Sequence, residues 1–168
     1  FGINGDVYIS DGYGNSRVVH LAHDGRYLGE WGTHGSAPGQ FRLPHAICTD
    51  PDGLIYVADR SNKRIQVFAP DGRFVRLWRV PVYPFGLAIT PDRRIFVCNE
   101  QPDSVTIYDP EGNVLGGWAN PAPTGRRRQR NTRLPGQLAE PHMIAVDSQG
   151  AVYTAELRGH RVQKWAPQ

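Results

Sequence analysis

No apolar run in this 168-residue chain approaches the roughly 20 residues of a membrane-spanning helix. No segment keeps a helical apolar period either, so a helical bundle is excluded. The sequence holds no CxxC pair, no phosphate loop and no nucleophile elbow, which removes the chemistries those motifs carry. Its two cysteines, Cys48 and Cys98, fall in expected strands of different repeat units. They read as buried free thiols, with a disulfide between them as the alternative. There is no N-terminal Met and no signal-peptide pattern. The chain opens inside a repeat, as expected of a fragment or a processed product, so its compartment is not legible from the N terminus.

Gly (19) and Pro (14) are plentiful, as in folds made of short strands and turns. The net charge of +3 is unevenly placed, because Arg126, Arg127, Arg128, Arg130 and Arg133 supply five positive charges in eight residues. Without that segment the chain is slightly acidic, so the basic balance describes one loop. The plain reading of the loop is a solvated insertion. The alternative is a contact for an anionic partner, since guanidinium groups suit phosphates and carboxylates. No aromatic residues interleave with the arginines, so a base-stacking platform is not indicated.

The repeat is the strongest positive signal. Pro38-Gly39-Gln40-Phe41 followed by Pro44-His45 returns 97 residues later as Pro135-Gly136-Gln137-Leu138 followed by Pro141-His142. The second unit predicts strands over 43–50, 53–59, 64–69 and 74–78, joined by Asp-Gly and Asn turns. The first unit enters at its second strand, with strands over 6–10, 17–21 and 27–31. The third has strands over 85–90, 94–99, 104–108 and 114–118, and the fourth over 143–147, 151–155 and 161–165. Trp31, Trp78 and Trp118 are equivalent, as are Arg17, Arg64 and Arg161. Arg17 and Arg64 are expected to hydrogen-bond neighbouring acidic residues.

Four-strand meanders of about 40–50 residues are the signature of β-propeller blades. The expectation is an all-β fold of about three and a half blades, over 1–36, 37–80, 81–120 and 137–168. An Arg-rich inter-blade loop lies over 119–136. Bare end faces imply either a longer propeller or self-association that covers them.

In a propeller the first strand of each blade lines the channel, and the residue before it sits at one mouth. His45, Phe85 and His142 hold that position. In a six-bladed ring the alternate blades carrying the two histidines lie about 120° apart. A third His from another blade would then complete a trigonal site of the kind catalytic zinc uses. Spacing alone leaves a second reading open, in which Pro-His is a structural strand opener whose ring caps the channel. His20, His23, His34 and His160 share no position and read as surface residues.

The motifs SDGYGNSRVV, EWG, PGQFRLPH and VADRSNKRIQVF, between Ser10 and Phe68, carry a resemblance. They resemble the lyase domain of peptidylglycine α-amidating enzymes, within the NHL-repeat propellers. The resemblance covers the second half of that domain. It implies a six-bladed ring that cleaves peptidyl-α-hydroxyglycine to an amide and glyoxylate, with zinc held by three His. His45 and His142 match two of these ligands; the third lies before Phe1. Tyr13 matches the catalytic Tyr and would take the substrate hydroxyl's proton. Arg60 matches an active-site Arg and would face the substrate's carboxylate. The resemblance also favours a secreted or periplasmic setting.

Three positions depart from the family. Glu140 replaces a Met and brings a carboxylate towards any metal. Met143 replaces an Asp that follows the His. Gly14 replaces a disulfide Cys. The implied partner is a small peptide-like substrate. The competing class is a non-enzymatic scaffold for peptide, protein or polyanion.

Overall fold

A computed structural model describes residues 1–100, 102–120 and 134–166 of the chain. The arginine cluster at 126–133 lies outside the described residues, and with it the anionic contact expected there. The described residues form 14 strands in four antiparallel sheets. The first sheet holds β1 (Val7–Asp11), β2 (Arg17–Leu21) and β3 (Tyr27–Trp31). The second holds β4 (Pro44–Thr49), β5 (Ile55–Asp59), β6 (Arg64–Phe68) and β7 (Phe74–Arg79). The third holds β8 (Tyr83–Ile89), β9 (Ile95–Glu100), β10 (Ser104–Tyr108) and β11 (Val114–Ala119). The fourth holds β12 (Pro141–Val146), β13 (Val152–Glu156) and β14 (Arg161–Trp165). Each sheet is a meander in chain order, as blades require. A single 3-10 turn at Arg60–Asn62 is the helical content of the described residues.

The turns follow from their residues. In Asp50-Pro51-Asp52-Gly53 the Asp50 carboxylate accepts the N–H groups of Asp52 and Leu54 and the hydroxyl of Tyr56. Asp147 does the same for Gln149, Ala151 and Tyr153 two blades on. Blades then stack through apolar faces that one sheet cannot bury alone. Tyr8, Val18, Phe41 and Phe68 pack between the first and second sheets. Tyr56, Ile65, Trp78, Ile95 and Tyr108 pack between the second and third. Phe96, Val105, Leu138 and Ile144 pack between the third and fourth. Both cysteines are free thiols, and Cys98 is buried.

The recurring Pro-Gly-Gln is a clamp. Arg64 is buried, bonds Asp59 through Nε at 2.7 Å, and donates to the carbonyls of Ser36, Ala37 and Gln40. Gln66 donates to the Gln40 carbonyl and accepts the Gly39 N–H. The fourth blade repeats this with Arg161, Glu156, Gln163, Gln137 and Gly136. Arg17 bonds Asp11 and Glu30, as expected from sequence. In the third blade Asn99 and Ser104 replace the ion pair with a neutral hydrogen bond of 3.3 Å.

His20 corrects the sequence reading. It is not a surface residue but is half-buried, stacked on Tyr8 at 4.4 Å and bonded to Asp6 at 2.8 Å. Tyr8 and His20 are cross-strand partners, so both side chains leave the same face of the sheet.

Arg64→Met leaves the Asp59 carboxylate buried without its counterion. Removing one partner of such a pair costs roughly 3–5 kcal/mol. The urea midpoint of the variant is expected to fall accordingly, and an unchanged midpoint would remove the clamp from the account of stability.

Candidate functional site

His45 lies inside β4, within the 43–50 span expected, and His142 lies inside β12 rather than just before its strand. The register of β4 against β5 skips between Pro44 and Ala46, and that of β12 against β13 skips between Pro141 and Met143. Each His is therefore a bulge residue, unpaired in its ladder. Phe85 sits in the same kind of skip, between Pro84 and Leu87. A bulge re-aims a side chain, and here it turns three rings towards one mouth. The residues before the two Pro-His pairs, Leu43 and Glu140, have left-handed backbone, with φ of 69° and 56°. Their carbonyls accept the N–H groups of Arg60 and Leu157, which fixes the entry of each strand.

The three rings form a near-equilateral cluster. Centroids lie 4.8 Å apart for His45 and His142, 4.9 Å for His45 and Phe85, and 5.0 Å for Phe85 and His142. His45 Nδ1 lies 2.8 Å from the Phe85 carbonyl. A carbonyl can only accept, so Nδ1 carries the proton and Nε2 presents its lone pair. Tyr13 lies 3.1 Å from that Nε2 through its hydroxyl, which therefore donates. Burial holds the His45 pKa below its ordinary value, and nearby His142 and Arg60 push the same way; the Phe85 carbonyl opposes them.

Tyr13 reaches His45 because of its neighbours. A side chain at Gly12 would meet the Pro44 carbonyl oxygen at 2.1 Å, so only glycine lets this loop lie on β4. Asp11 then gathers Asn15 and Arg17 at 2.8 and 2.9 Å, tightening the loop behind Tyr13. Asn15 thus serves the loop, and the Tyr13 ring meets His45 edge-on at 5.7 Å.

Arg60 completes the cluster. Its guanidinium carbon lies 4.3 Å over the Phe85 ring, its Nη2 lies 3.7 Å from Glu100, and its buried Nε has no hydrogen-bond partner. The Glu140 carboxylate pairs with Arg158. The structure thus brings together Tyr13, His45, His142 and Arg60. Sequence reasoning missed Glu100, although register marks it: Asp59 faces Arg64 and Asn99 faces Ser104, so Glu100 stands where Arg60 stands one blade earlier.

The fit to zinc is partial. His45 shows what a ligand His needs, an N–H anchored on a carbonyl and the opposite nitrogen turned to the cluster. Among the described residues no three His, Cys, Asp or Glu side chains group to hold a metal ion.

Residues 41–68 match the NHL repeat. The chain carries an NHL repeat, and its relatives include an NHL-repeat protein and an amidating enzyme. Over 173 residues it is 35% identical to NHL repeat-containing protein 3 of Homo sapiens, covering 97% of this chain and 47% of that protein. Over 171 residues it is 33% identical to peptidyl-glycine alpha-amidating monooxygenase A of Xenopus laevis, covering 98% of this chain and 18% of that protein. The NHL chain therefore spans about half, or less, of these relatives. Its fold is similar to virginiamycin B lyase from Staphylococcus aureus, with a TM-score of 0.70 and 16% identity over 98% of this chain and 53% of that one. That likeness speaks to the propeller fold alone.

The depressed His45 pKa fixes a sign. The unfolded chain takes up this proton near pH 6.5, before the folded protein does. The His45 contribution to stability is thus complete above about pH 6.5 and is lost as pH falls from there through the lower, folded pKa. An NMR titration should place the His45 ring below 6.5; a ring titrating above it would contradict the neutral, Nδ1-protonated assignment.

Proposed function

We propose that this NHL chain carries part of the site of a divergent, metal-dependent lyase acting on a peptidyl-α-hydroxyglycine-type substrate. The carrying observation is the meeting of Tyr13, His45, His142 and Arg60, drawn from three blades, around Phe85 at one mouth. The homology to amidating-enzyme domains supports the same reading.

His45 and His142 would supply two nitrogens to zinc, with a further ligand from outside the described residues. Bound there, zinc would supply Lewis acidity towards the substrate's hydroxyl oxygen. The chain's own residues supply the remainder. His45 keeps its Nδ1 proton on the Phe85 carbonyl, which leaves Nε2, beside Tyr13, as the nitrogen with a lone pair to offer. Tyr13 is the proton carrier. Its hydroxyl gives its own proton to the departing nitrogen and takes the substrate's hydroxyl proton in its place, as the carbon–oxygen double bond forms and the carbon–nitrogen electron pair leaves with the nitrogen to give the amide. Phe85 and the guanidinium plane of Arg60 wall the cluster and orient the reacting end.

The test is metal content and product release on the intact protein. Zinc content is expected to drop in both His45→Ala and His142→Ala. Tyr13→Phe should slow glyoxylate release from a peptidyl-α-hydroxyglycine by about 10²–10⁴-fold while retaining zinc. Unchanged zinc in both histidine variants overturns the metal reading. Replacing the five arginines at 126–133 leaves a lyase intact, whereas loss of a salt-sensitive binding activity would instead favour a scaffold for polyanions.

A further inference from the structure

Tyr13 borders two spaces. Its hydroxyl meets His45 in the ring cluster. Tyr13 also lines a cavity of about 500 Å³ to which His45, His142 and Phe85 contribute nothing. The other side chains of this cavity are polar: Asn15 and Ser16 from the Tyr13 loop, with His34, Arg42 and Ser61 from the second blade and the link that enters it. No carboxylate lines it. The His34 ring lies 3.4 Å from the Ser16 hydroxyl, through Nδ1.

Arg42 is set there by its backbone. Its N–H donates to Asp59 Oδ1 at 2.8 Å, and its carbonyl accepts the Ser61 N–H at 3.0 Å. Phe41, just before it, is fully buried, whereas Arg42 is exposed. The Asp59 carboxylate is committed to Arg64. Among the described residues the Arg42 side chain makes no hydrogen bond or ion pair. The neighbouring cations are all partnered. Arg60 lies over Phe85 and 3.7 Å from Glu100, Arg17 holds Asp11 and Glu30, Arg158 holds Glu140, and the Lys63 ammonium rests 4.5 Å over the Tyr83 ring. The free guanidinium of this rim is thus the one in the cavity beside Tyr13.

The two spaces suit different parts of one peptide. A carboxylate on the reacting carbon is bonded to the carbon that bears the hydroxyl, so it stays with that carbon in the ring cluster. A group that reaches the cavity past Tyr13 has to be carried farther along, on the residue before the hydroxyglycine. We propose that this cavity is a subsite for the side chain of that preceding residue, and that Arg42 makes it selective for an acidic one. An aspartyl or glutamyl carboxylate there meets guanidinium donors with no competing acid, while a lysyl or arginyl side chain meets a like charge. The inference rests on the reading of the neighbouring mouth as a lyase site, and it names a substrate class for it.

The test uses two inert dipeptides, N-acetyl-glutamyl-glycine and N-acetyl-glutaminyl-glycine. They differ in one side-chain charge and share the terminal carboxylate, so contacts of that carboxylate cancel in the ratio. Binding to the intact protein is followed by the ring resonances of Tyr13 and His34, at fixed pH and ionic strength. Wild type is expected to bind the glutamyl peptide about fivefold more tightly, the scale of an exposed ion pair. Arg42→Gln, which keeps both backbone bonds, should remove that preference and leave the glutaminyl peptide within about twofold. Arg42→Lys should keep part of it. A ratio near one in wild type, a preference that survives Arg42→Gln, or binding of neither dipeptide overturns the subsite. Glyoxylate release from the two matching α-hydroxyglycine peptides checks the lyase reading separately. Release without a glutamyl preference overturns the subsite and leaves the lyase standing. A preference that depends on Arg42, with release from neither peptide, overturns the lyase and leaves a site for acidic peptides.

Discussion

The buried pair of Asp59 and Arg64 governs the geometry of this chain. Burying either charge alone is expensive, and the two together are tolerated because three of the guanidinium's four remaining N–H donors are used. Those donors end on the carbonyls of Ser36, Ala37 and Gln40, which belong to the link entering the blade. The link runs directly into Pro44 and His45. The clamp therefore does more than stabilise a sheet; it sets where the inner strand begins. The fourth blade uses Arg161, Glu156 and Gln137 to the same end ahead of His142. The third blade has neither the ion pair nor the Pro-Gly-Gln link, and there the bulge of the inner strand carries Phe85. In this chain the blades that clamp their entry are the ones that carry the histidines.

Position alone would leave those rings apart, because the His blades are not neighbours. Two close approaches bring them together. Gly12 admits the carbonyl of Pro44, and Gly86 lies where a side chain would meet the His142 carbonyl and the Met143 Cα at 3.0 Å. A small residue in the turn after β1 and another on the inner strand β8 thus let adjacent backbones draw in, and the bulges at Pro-His then turn the rings inward. Phe85, on the blade between, fills the gap and supplies through its carbonyl the anchor for His45.

The strand count and its division into blades were readable because most hairpins are marked by Asp-Gly or Asn, and those turns need little tertiary context. The convergence of His45 and His142 was readable for a related reason: equivalent positions of a repeat share a radius. Features set by register were not. The skip between Pro44 and Ala46 leaves no mark in composition, so the bulge that aims His45 was not readable. His20 read as exposed because the 12–16 turn hides its alignment with Tyr8. Glu100 was passed over because its blade replaces the Asp-Arg pair with Asn99 and Ser104, which breaks the pattern that singles out Arg60.

The contact between Tyr13 and His45 constrains the chemistry further. Nδ1 of His45 is committed to a backbone carbonyl, so the ring has one lone pair to offer, on Nε2. A single lone pair cannot accept the Tyr13 hydroxyl and ligate a metal at once. His45 is held by the bulge and by Phe85, so it cannot yield. Tyr13 can: it is largely exposed, its hydroxyl is held by its bond to His45, and a side chain at Gly14 beyond it would meet nothing within 4 Å. The proposed metal-holding state is therefore one in which Tyr13 has left His45, and the phenol so released is the group the proposed reaction needs at the substrate's hydroxyl. The loop built by Gly12, Asp11 and Asn15 makes that exchange local, because it fixes the backbone of Tyr13 while leaving its ring free to turn.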